Sequence, residues 1–265
     1  MAVIYSQDFN SSSNFPTGWE REGQGNWTLY GSEASDTMTS TARGWMIKTG
    51  KSSSVGTGAG GGMTSGIGAA NGAWSTASKY ILYEASSPAN NGTRGSMRTK
   101  AFDFTNYTNV EATFWFHRYS NDDLMGDFGI AATTSATSSS SAVEAGTGLG
   151  FTSNTAGGCP ITYWTDNTGS TTATGVRMTG TASTQSSGNS DTLAADNYYR
   201  KATVDLSNAD GESSVYLHFF IVTVLASTSW KSDMCIDNFV ITGDVGGGGI
   251  PLAAANDSIL FGTNF

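Results

Sequence analysis

The stretch Val215–Ile241, VYLHFFIVTVLASTSWKSDMCIDNFVI, is the most strongly patterned part of this chain. Residues 215–222 alternate between two sets of side chains and are rich in β-branched and aromatic residues, which is typical of a β-strand. Because both sets are largely apolar, we expect this strand to lie in the middle of a sheet that is covered on both faces. The small polar segment ASTSWKSD then interrupts the pattern, and Met234–Ile241 resumes it.

The second of these apolar runs contains one charged residue, Asp237. A carboxylate inside an apolar strand is costly unless it is paired with another charge, hydrogen-bonded or bound to a cation. Some compensating group is therefore expected beside it in the folded protein. Asp237 is the first candidate functional residue of the chain.

The composition favours an all-β protein with long polar loops. Glycine is abundant, proline is rare, and charged residues make up 13% of the 265 residues, about half the share in an ordinary soluble protein. No amphipathic helix of three turns is visible. About ten strand-like runs separated by turns indicate a β-sandwich, and we predict jelly-roll connectivity of the concanavalin-like kind.

Strands are predicted along the whole chain, with glycine-, serine- and threonine-rich loops at 51–73 and 133–195. A loop as long as the second is usually either functional or disordered. Because no internal repeat is evident, we predict a single sandwich domain over residues 1–243. Besides the opening stretch, the predicted strands are Val3–Phe9, Trp27–Tyr30, Trp45–Lys48, Lys79–Glu84, Met97–Phe104, Val110–Tyr119, Phe128–Ala132, Ile161–Trp164, Val176–Met178 and Tyr198–Asp205.

Residues 244–265 are predicted to form a separate C-terminal extension. Four consecutive glycines from Gly246 provide a flexible hinge. The apolar segment that follows is either a disordered end or a docking peptide that packs on this chain or another, for example by adding a strand to a sheet. An exposed apolar tail lowers solubility, so we favour docking. The residues expected to dock are Ile250, Leu252, Ile259, Leu260 and Phe261.

Charge and hydropathy exclude two classes of partner. The net charge of −9 argues against nucleic acid, because phosphate binding needs a basic patch. No apolar run is long enough to insert across a bilayer, and MAVIYSQDFN lacks the basic leader and apolar core of a secretion signal. The composition is nevertheless typical of proteins that work outside cells. A virion component released by lysis fits both features, and so does a secreted protein whose signal has been removed.

Five segments, taken in order, resemble the cleaved-adhesin and MAM families of jelly-roll domains. They are DFNSSSNFPTGWE from Asp8, NWTLYG from Asn26, KAFDFTNYTNVEATFWFHRYS from Lys100, YYRKATVDLSNADGESSVYLHFF from Tyr198 and MCIDNFVITG from Met234. The resemblance covers roughly half of the chain and leaves out both long loops. It implies a sandwich of the kind found in adhesins and cell-surface proteins. The MAM disulfides are not implied, because the two cysteines do not fall at the positions of that family's bridges.

The resemblance also implies a structural cation between the first and last strands. In those families an acidic residue on each of these strands shares the cation, and the matching positions are Asp8 and Asp237. Two carboxylates brought together repel unless a hard cation with oxygen ligands, here Ca2+, lies between them. Asn10 is a further oxygen donor, whereas Asn238 is expected to point to the opposite face. The alternative is a hydrogen-bonded pair of aspartates near turns.

The remaining residues favour binding over catalysis. His117 and His218 lie in predicted strands without a neighbouring nucleophile motif, which argues against a Ser/His/Asp arrangement. The E-x-D-x-x-E carboxylates of jelly-roll glucanases are missing from the sequence. The segment GWMIKTGKS has five residues between its glycines instead of four, so it is not a phosphate loop. The loop with Asp122, Asp123 and Asp127 is a solvated acidic turn or a second cation site.

Aromatic residues in or beside the long loops are candidates for carbohydrate binding. Trp74, Tyr163 and Trp164 could stack on sugar rings, since an exposed aromatic ring offers a flat apolar face; the alternative is that they cover the edges of the sandwich. For the two cysteines, Cys159 and Cys235, we expect buried or loop thiols without a bridge. A bridge between them is the alternative.

Two functions remain after these exclusions, and neither is enzymatic. We favour an adhesin-like structural protein on a virion surface, such as a phage tail fibre, knob or capsid-decoration subunit. Such a subunit would assemble into an oligomer with other virion or surface proteins through its tail, and it would contact host glycans. The alternative is a secreted carbohydrate- or cell-surface-binding module that is monomeric and does not need the tail.

Overall fold

A computed structural model describes residues 1–10, 15–23, 26–29, 44–50, 59–64, 73–84, 94–118, 127–136, 158–165, 169–175, 177–178, 199–222 and 233–246. Nearly all of the regular structure in these ranges is β-strand, with one 3-10 turn at Ser207–Ala209. Over the same ranges, no helix has the length and hydropathy needed to span a bilayer.

Fifteen strands lie within the described ranges, and most are close to those predicted. They are β1 Ala2–Gln7, β2 Glu20–Gly23, β3 Asn26–Leu29, β4 Gly44–Thr49, β5 Gly62–Met63, β6 Trp74–Ser75, β7 Lys79–Glu84, β8 Arg94–Arg98, β9 Tyr107–His117, β10 Asp127–Thr133, β11 Ile161–Trp164, β12 Thr172–Gly175, β13 Arg200–Asp205, β14 Tyr216–Val222 and β15 Met234–Val245. The strand predicted at Val176–Met178 is replaced by β12, and Met178 forms an isolated bridge to Phe128.

The strands form two antiparallel sheets and a small hairpin. Sheet A has the order β12-β11-β13-β9-β15-β7-β4, with β1 also pairing with β15. Sheet B has the order β10-β14-β8-β2-β3, and β5 pairs with β6. Sequence-distant strands are neighbours in both sheets, and the first strand lies beside the last. The predicted all-β sandwich of jelly-roll type is confirmed.

The main core lies between the two sheets and is rich in aromatic rings. Phe114 of sheet A contacts Phe219 of sheet B at a centroid distance of 6.3 Å, and Trp45 contacts Phe128 at 6.2 Å. These side chains are fully buried, and burying a large apolar side chain stabilises a fold by about 1.5–3 kcal/mol. Packing between the sheets therefore positions the strands on which the sites described below depend.

The alternation predicted for the two best-patterned strands is confirmed. In β9, the inward residues belong to the core between the sheets, whereas Trp115 belongs to a second cluster on the outer face of sheet A. Strand β14 lies between β10 and β8, and its outward residues His218 and Phe220 are as well buried as its inward ones. The two apolar runs of the stretch Val215–Ile241 form β14 and β15, and these two strands lie in different sheets.

The last strand extends slightly beyond the predicted domain end. Strand β15 continues to Val245, and the N–H of Gly246 donates a hydrogen bond to the carbonyl of Asn106 at 2.8 Å. Residues 247–265 lie outside the described residues, and so do the five predicted docking residues Ile250, Leu252, Ile259, Leu260 and Phe261.

Neither cysteine forms a disulfide, as predicted. Cys159 lies in the core between the sheets, where burial raises the pKa of its thiol to about 12. Cys235 lies in the cluster on the outer face of sheet A. Because sheet A separates the two side chains, they do not form a bridge.

Candidate functional site

Asp237 is fully buried on the outer face of sheet A. Its Oδ2 accepts a hydrogen bond from the N–H of Met63 at 2.8 Å, and its Oδ1 accepts one from the N–H of Asn238 at 2.7 Å. Burial raises the pKa of Asp237 to about 8; the two hydrogen bonds oppose this increase, and the negative charge of Asp8 adds to it. The expected compensation of this buried carboxylate therefore comes partly from backbone N–H groups.

A β-bulge places the residues around Asp237. Asp237 pairs with Trp115 and Val240 pairs with Thr113, so two residues of β15 face one residue of β9 between these pairs. Asn238 lies in this bulge with a φ of 48°, a conformation that asparagine adopts more readily than most residues. Its side-chain amide reaches Met63 Sδ at 3.5 Å. The expectation that Asn238 points away from Asp237 is wrong, because the bulge interrupts the alternation of the strand.

A tight turn at the end of β1 brings Asp8 and Asn10 close to each other. The N–H of Asn10 donates to the carbonyl of Asp8 at 2.7 Å, which closes a three-residue γ-turn around Phe9, whose φ is 57°. A positive φ is strained for an aromatic residue. The ring of Phe9 is fully buried and packs edge-on against Trp19 at 6.1 Å, and this packing holds the strained turn in place.

The covering segment, residues 59–64, closes over Asp237. An added Cβ on Gly61 would lie 2.0 Å from the carbonyl oxygen of Ser75, and one on Gly62 would lie 2.4 Å from that of Lys79. Only glycine fits at these two positions, which explains part of the glycine-rich loop. The hydroxyl of Tyr199 donates to the carbonyl of Gly61 at 3.0 Å and ties the segment to sheet A.

Beneath the covering segment lies a second buried cluster. Burial raises the pKa of Tyr199 well above its ordinary value, and the nearby charges of Cys235, Asp237 and Tyr80 add to this increase. His117 is fully buried beside Tyr199, with ring centroids 5.8 Å apart. The apolar members of the cluster are Met46, Ala59, Met63, Tyr80, Leu82, Trp115, Tyr199 and Cys235, with Trp164 partly buried against them.

Two of the three predicted cation ligands, Asp8 and Asp237, interact electrostatically, and the third, Asn10, follows Asp8 in the turn after β1. Asp8 is close enough to Asp237 for its charge to raise the pKa of Asp237, and the amide oxygen of Asn10 accepts the N–H of Lys79 at 2.9 Å. These donors are all oxygens, and each carboxylate oxygen of Asp237 has one further lone pair, so the set fits a hard cation such as Ca2+. Within the described ranges, no three His, Cys, Asp or Glu side chains form a metal-binding group.

Away from the covering segment, the outer face of sheet A is exposed to solvent. One residue from each of six neighbouring strands lines up in register there, and each is exposed or half-exposed. We call this set the hydroxyl row: Thr174 of β12, Thr162 of β11, Thr203 of β13, Thr113 of β9, Val240 of β15 and Ser6 of β1. Adjacent strands are ~4.8 Å apart, so the row is about 24 Å long.

A groove of about 450 Å3 runs beside the hydroxyl row, and Thr162, Thr174 and Thr203 belong to its lining. Its wall carries two carboxylates, Glu111 and Asp205, which lie directly opposite each other on β9 and β13. Like charges in such a pair destabilise a sheet. Across the described part of the chain, neither carboxylate forms an ion pair, although Asp205 accepts the N–H of Ser207, the first residue of the 3-10 turn, at 2.9 Å.

The structure separates the aromatic residues that were predicted to stack on sugar rings. Tyr163 points into the core, where it packs edge-on against Phe116 at 5.9 Å, so its predicted role in stacking on sugars is wrong. Trp164, the next residue, is half-buried on the outer face and packs edge-on against Trp115 at 5.5 Å. Adjacent strand residues point to opposite faces, so these two never share a platform. Trp74 pairs with Met63 through its backbone; its side chain lies outside the described part.

The histidines and the acidic loop are placed as follows. His218 is fully buried on the outer face of sheet B, and its Nε2 lies 2.9 Å from Thr133 Oγ1. Burial and, as the smaller cause, the charge of Arg98 together lower the pKa of His218 to about 3. Asp127 begins β10 and lies 3.9 Å from Arg177. Asp122 and Asp123 are outside the described residues.

Sequence reasoning missed the covering segment, the bulge and the hydroxyl row. The row is built from single residues of six strands, and no linear pattern connects them. One signal was present in the sequence: each of the strands β9, β11, β12 and β13 has at least one threonine among its outward residues. Only the strand order reveals that these threonines are neighbours.

Comparison with known proteins adds structural likenesses but no family. No family model matches the chain, and no curated protein does either. Among solved structures, the chain is similar to the K1 and K3 cleaved adhesin domains of Lys-gingipain from Porphyromonas gingivalis W83. Both are 12% identical over 91% of this chain, with TM-scores of 0.43 and 0.45, and the matches cover 98% and 100% of those domains.

A second likeness is to TmCBM61, solved in complex with β-1,4-galactotriose. It is 8% identical, the match covers 90% of this chain and 99% of that one, and the TM-score is 0.34. Similarity at these TM-scores carries no inference about what this chain does. Cleaved adhesin domains thus recur among the structural neighbours, whereas the resemblance to MAM domains stays a prediction.

Proposed function

We propose that this chain is a non-enzymatic, adhesin-like binding protein that contacts carbohydrate on a cell surface through the open end of sheet A. The observation that carries the proposal is the hydroxyl row beside the groove of about 450 Å3. In the described ranges, the hydroxyls of Thr113 and Thr203 have no protein partner. Proteins recognise sugars through hydroxyl and carboxylate groups together with apolar surface. The hydroxyl row supplies the threonine hydroxyls and the methyl groups of Thr and Val240, and the groove beside it supplies the carboxylates.

A role without catalysis is supported by where the titratable groups lie. His117 and His218 are both fully buried, so neither reaches a molecule bound at the surface. The Asp237 carboxylate is enclosed by the covering segment and accepts two backbone N–H groups. These groups stabilise the scaffold, and the solvent-facing chemistry is left to the hydroxyl row and its flanks.

The experiment is a glycan panel probed with the full chain and with three isosteric substitutions combined, Thr113→Val, Thr162→Val and Thr203→Val. Valine keeps the β-branched shape and removes the hydroxyl, so binding to the recognised glycans should fall at least tenfold. Thr108→Val is the matched control, because Thr108 is an exposed threonine of β9 outside the row. Absence of any glycan binding by the wild-type chain, or an equal loss in the control, would contradict the proposal.

We also propose that Ca2+ binds at Asp8, Asn10 and Asp237 as a structural cation. When bound, the ion would supply positive charge to the buried carboxylate and its neighbour Asp8. It would thereby join the end of β1, the bulge of β15 and the covering segment. This proposal is supported by the oxygen donors that these three residues supply and by the raised pKa of Asp237, to which the charge of Asp8 contributes.

Assembly on a particle, such as a virion surface, is the second candidate function. The exposed large hydrophobic residues of the described ranges are Met1, Val3 and Val245, exposed by 70%, 63% and 60%. They lie at one end of the molecule, because Ala2 pairs with Gly243 and the amino group of Met1 lies 3.1 Å from Asp244. Val245 directly precedes the glycines, so exposed apolar residues lie close to where the predicted docking tail begins.

A further inference from the structure

We infer that the hydroxyl row selects neutral, extended glycan chains that lie across the strands, and that it disfavours acidic ones. This inference deepens the proposed function and rests on it. Three features of the described residues carry the inference: the length of the row, the carboxylate pair in the groove wall, and the arrangement of charge around them.

The length and direction of the row define the shape of the ligand. The row crosses six strands, from Thr174 at one edge to Ser6 at the other, and is about 24 Å long at the usual strand spacing. A single sugar covers only a small part of that length, whereas an oligosaccharide of several units covers all of it. Side chains at both ends are exposed, so a chain can enter and leave the row without a closed wall.

The charge of the groove defines the chemistry of the ligand. Glu111 and Asp205 face each other in the wall. Their polar partners are neutral: the Thr242 hydroxyl lies 3.5 Å from Glu111 Oε1, and the N–H of Ser207 donates to Asp205 Oδ1 at 2.9 Å. Ionised carboxylates accept hydrogen bonds, so they suit sugar hydroxyls and repel the carboxylate or sulfate of an acidic glycan.

The cationic groups of this face do not reverse that preference. Lys201 lies on the same face as Thr203 by the alternation of β13, two rows away from the carboxylate pair and on the other side of the hydroxyl row. Met1 also lines the groove, but its amino group pairs with Asp244 at 3.1 Å. With a net charge of −9 on the whole chain, the long-range field also disfavours an anionic ligand.

The test uses pairs of oligosaccharides that differ only by oxidation of C6: β-1,4-linked glucose against glucuronate hexamers, and β-1,4-linked mannose against mannuronate hexamers. Affinities are measured by titration calorimetry with the full chain at low ionic strength. The neutral member of a recognised pair should bind about tenfold more tightly than the acidic member, as expected for two carboxylates acting through largely aqueous surroundings. Each neutral disaccharide should bind more weakly than its hexamer, because it covers less of the row.

The double substitution Glu111→Gln and Asp205→Asn tests the origin of the preference. It removes both charges at nearly constant shape, so the ratio of neutral to acidic affinity should fall toward one. Glu212→Gln is the control, since Glu212 does not line the groove, and it should leave the ratio unchanged. Thr174→Val and Ser6→Ala, at the two ends of the row, should each weaken the hexamer and leave the disaccharide less affected.

The outcomes separate this inference from the proposed function. Equal or tighter binding of the acidic hexamers overturns the inference while glycan binding itself stands. A ratio that survives the double substitution, or a hexamer that is insensitive to either end of the row, also overturns it. If neither these hexamers nor the wider glycan panel binds the wild-type chain, the proposed function itself fails.

Discussion

The carboxylate of Asp237 accepts the backbone N–H of Met63 at 2.8 Å, although the two residues are 174 positions apart in the chain. This hydrogen bond joins the last strand to the segment that covers sheet A. It is buried, and it becomes charge-assisted when Asp237 ionises above its pKa of about 8; hydrogen bonds to charged groups contribute about 1.5–3 kcal/mol to stability. Together with the hydrogen bond from the Tyr199 hydroxyl to the Gly61 carbonyl, it fixes the layer outside sheet A.

The first prediction concerns the pH dependence of Ca2+ binding. Burial raises the folded-state pKa of Asp237 to about 8, whereas the unfolded-state value is about 3.9. The folded state therefore binds the proton more tightly, and without a cation the free energy of unfolding falls by up to ~1.4 kcal/mol per unit as the pH rises between these values. Ca2+ at the proposed site should offset this loss, so its effect on Tm should be larger near pH 8 than near pH 5.

Calorimetric melting with Ca2+ and with a chelator, at both pH values, measures that effect. Asp237→Asn should abolish the response to Ca2+ and flatten the pH dependence. Asp103→Asn is the control, because Asp103 is an exposed aspartate away from β15. A response to Ca2+ that is the same in Asp237→Asn and in the wild type would exclude the proposed site.

The second prediction concerns the fit of the covering segment. Gly62→Ala should lower the free energy of unfolding by about 1–3 kcal/mol, because overpacking forces the backbone to shift and the added Cβ meets the Lys79 carbonyl at 2.4 Å. Gly246→Ala is the control, since its Cβ would lie 3.4 Å from its nearest neighbour. Urea unfolding of both variants gives the comparison, and equal stabilities would show that the segment moves freely.

The third prediction concerns acid stability. Burial, followed by the charge of Arg98, lowers the pKa of His218 to about 3 in the folded state, against about 6.5 in the unfolded state. The unfolded state therefore binds the proton first, and the His218 contribution to stability is complete above pH ~6.5 and is lost as the pH falls toward ~3. The slope is up to ~1.4 kcal/mol per pH unit.

His218→Gln should remove this slope from urea unfolding curves recorded between pH ~4 and ~7. Thr133→Val is the control, because it removes the hydroxyl 2.9 Å from Nε2 and leaves the titrating imidazole in place. If His218→Gln keeps the wild-type slope, the loss of stability in acid arises at other groups.

The fourth prediction concerns the tail. Truncation after Gly246 keeps the hydrogen bond between Gly246 and Asn106 and should give a folded monomer. If the tail docks, light scattering of the full chain should show an oligomer. Val3→Ser and Val245→Ser, at two of the exposed apolar residues close to the base of the tail, should weaken that oligomer. Equal monomeric masses for the full and truncated chains would leave the particle role without support.

The strands could be predicted because their side chains repeat every two residues. The alternation in β9 and β14 places Phe114 and Phe219 in the core without reference to any other strand. The same rule, applied to Tyr163 and Trp164, would have separated them into the core and the outer face. Asp237 could be recognised because a charge inside an apolar run always needs compensation.

The remaining features depend on contacts between distant parts of the chain. A bulge such as that at Asn238 is set by the register of a neighbouring strand, which the local sequence does not encode. The glycines of the covering segment resemble those of any flexible loop until Ser75 and Lys79 are seen against them. The hydroxyl row depends on the order of six strands, which follows from the packing of the whole sandwich.

The pairing of β1 with β15 has a consequence for how this domain could be joined to a larger polypeptide. Ala2 and Gly243 are cross-strand partners, so the chain enters and leaves the sandwich about 5 Å apart. A domain with adjacent ends can interrupt a surface loop of a larger polypeptide without separating the two sides of that loop. The fold is therefore suited to insertion into a surface loop of another protein, and the orientation of that loop would set the direction in which the hydroxyl row faces.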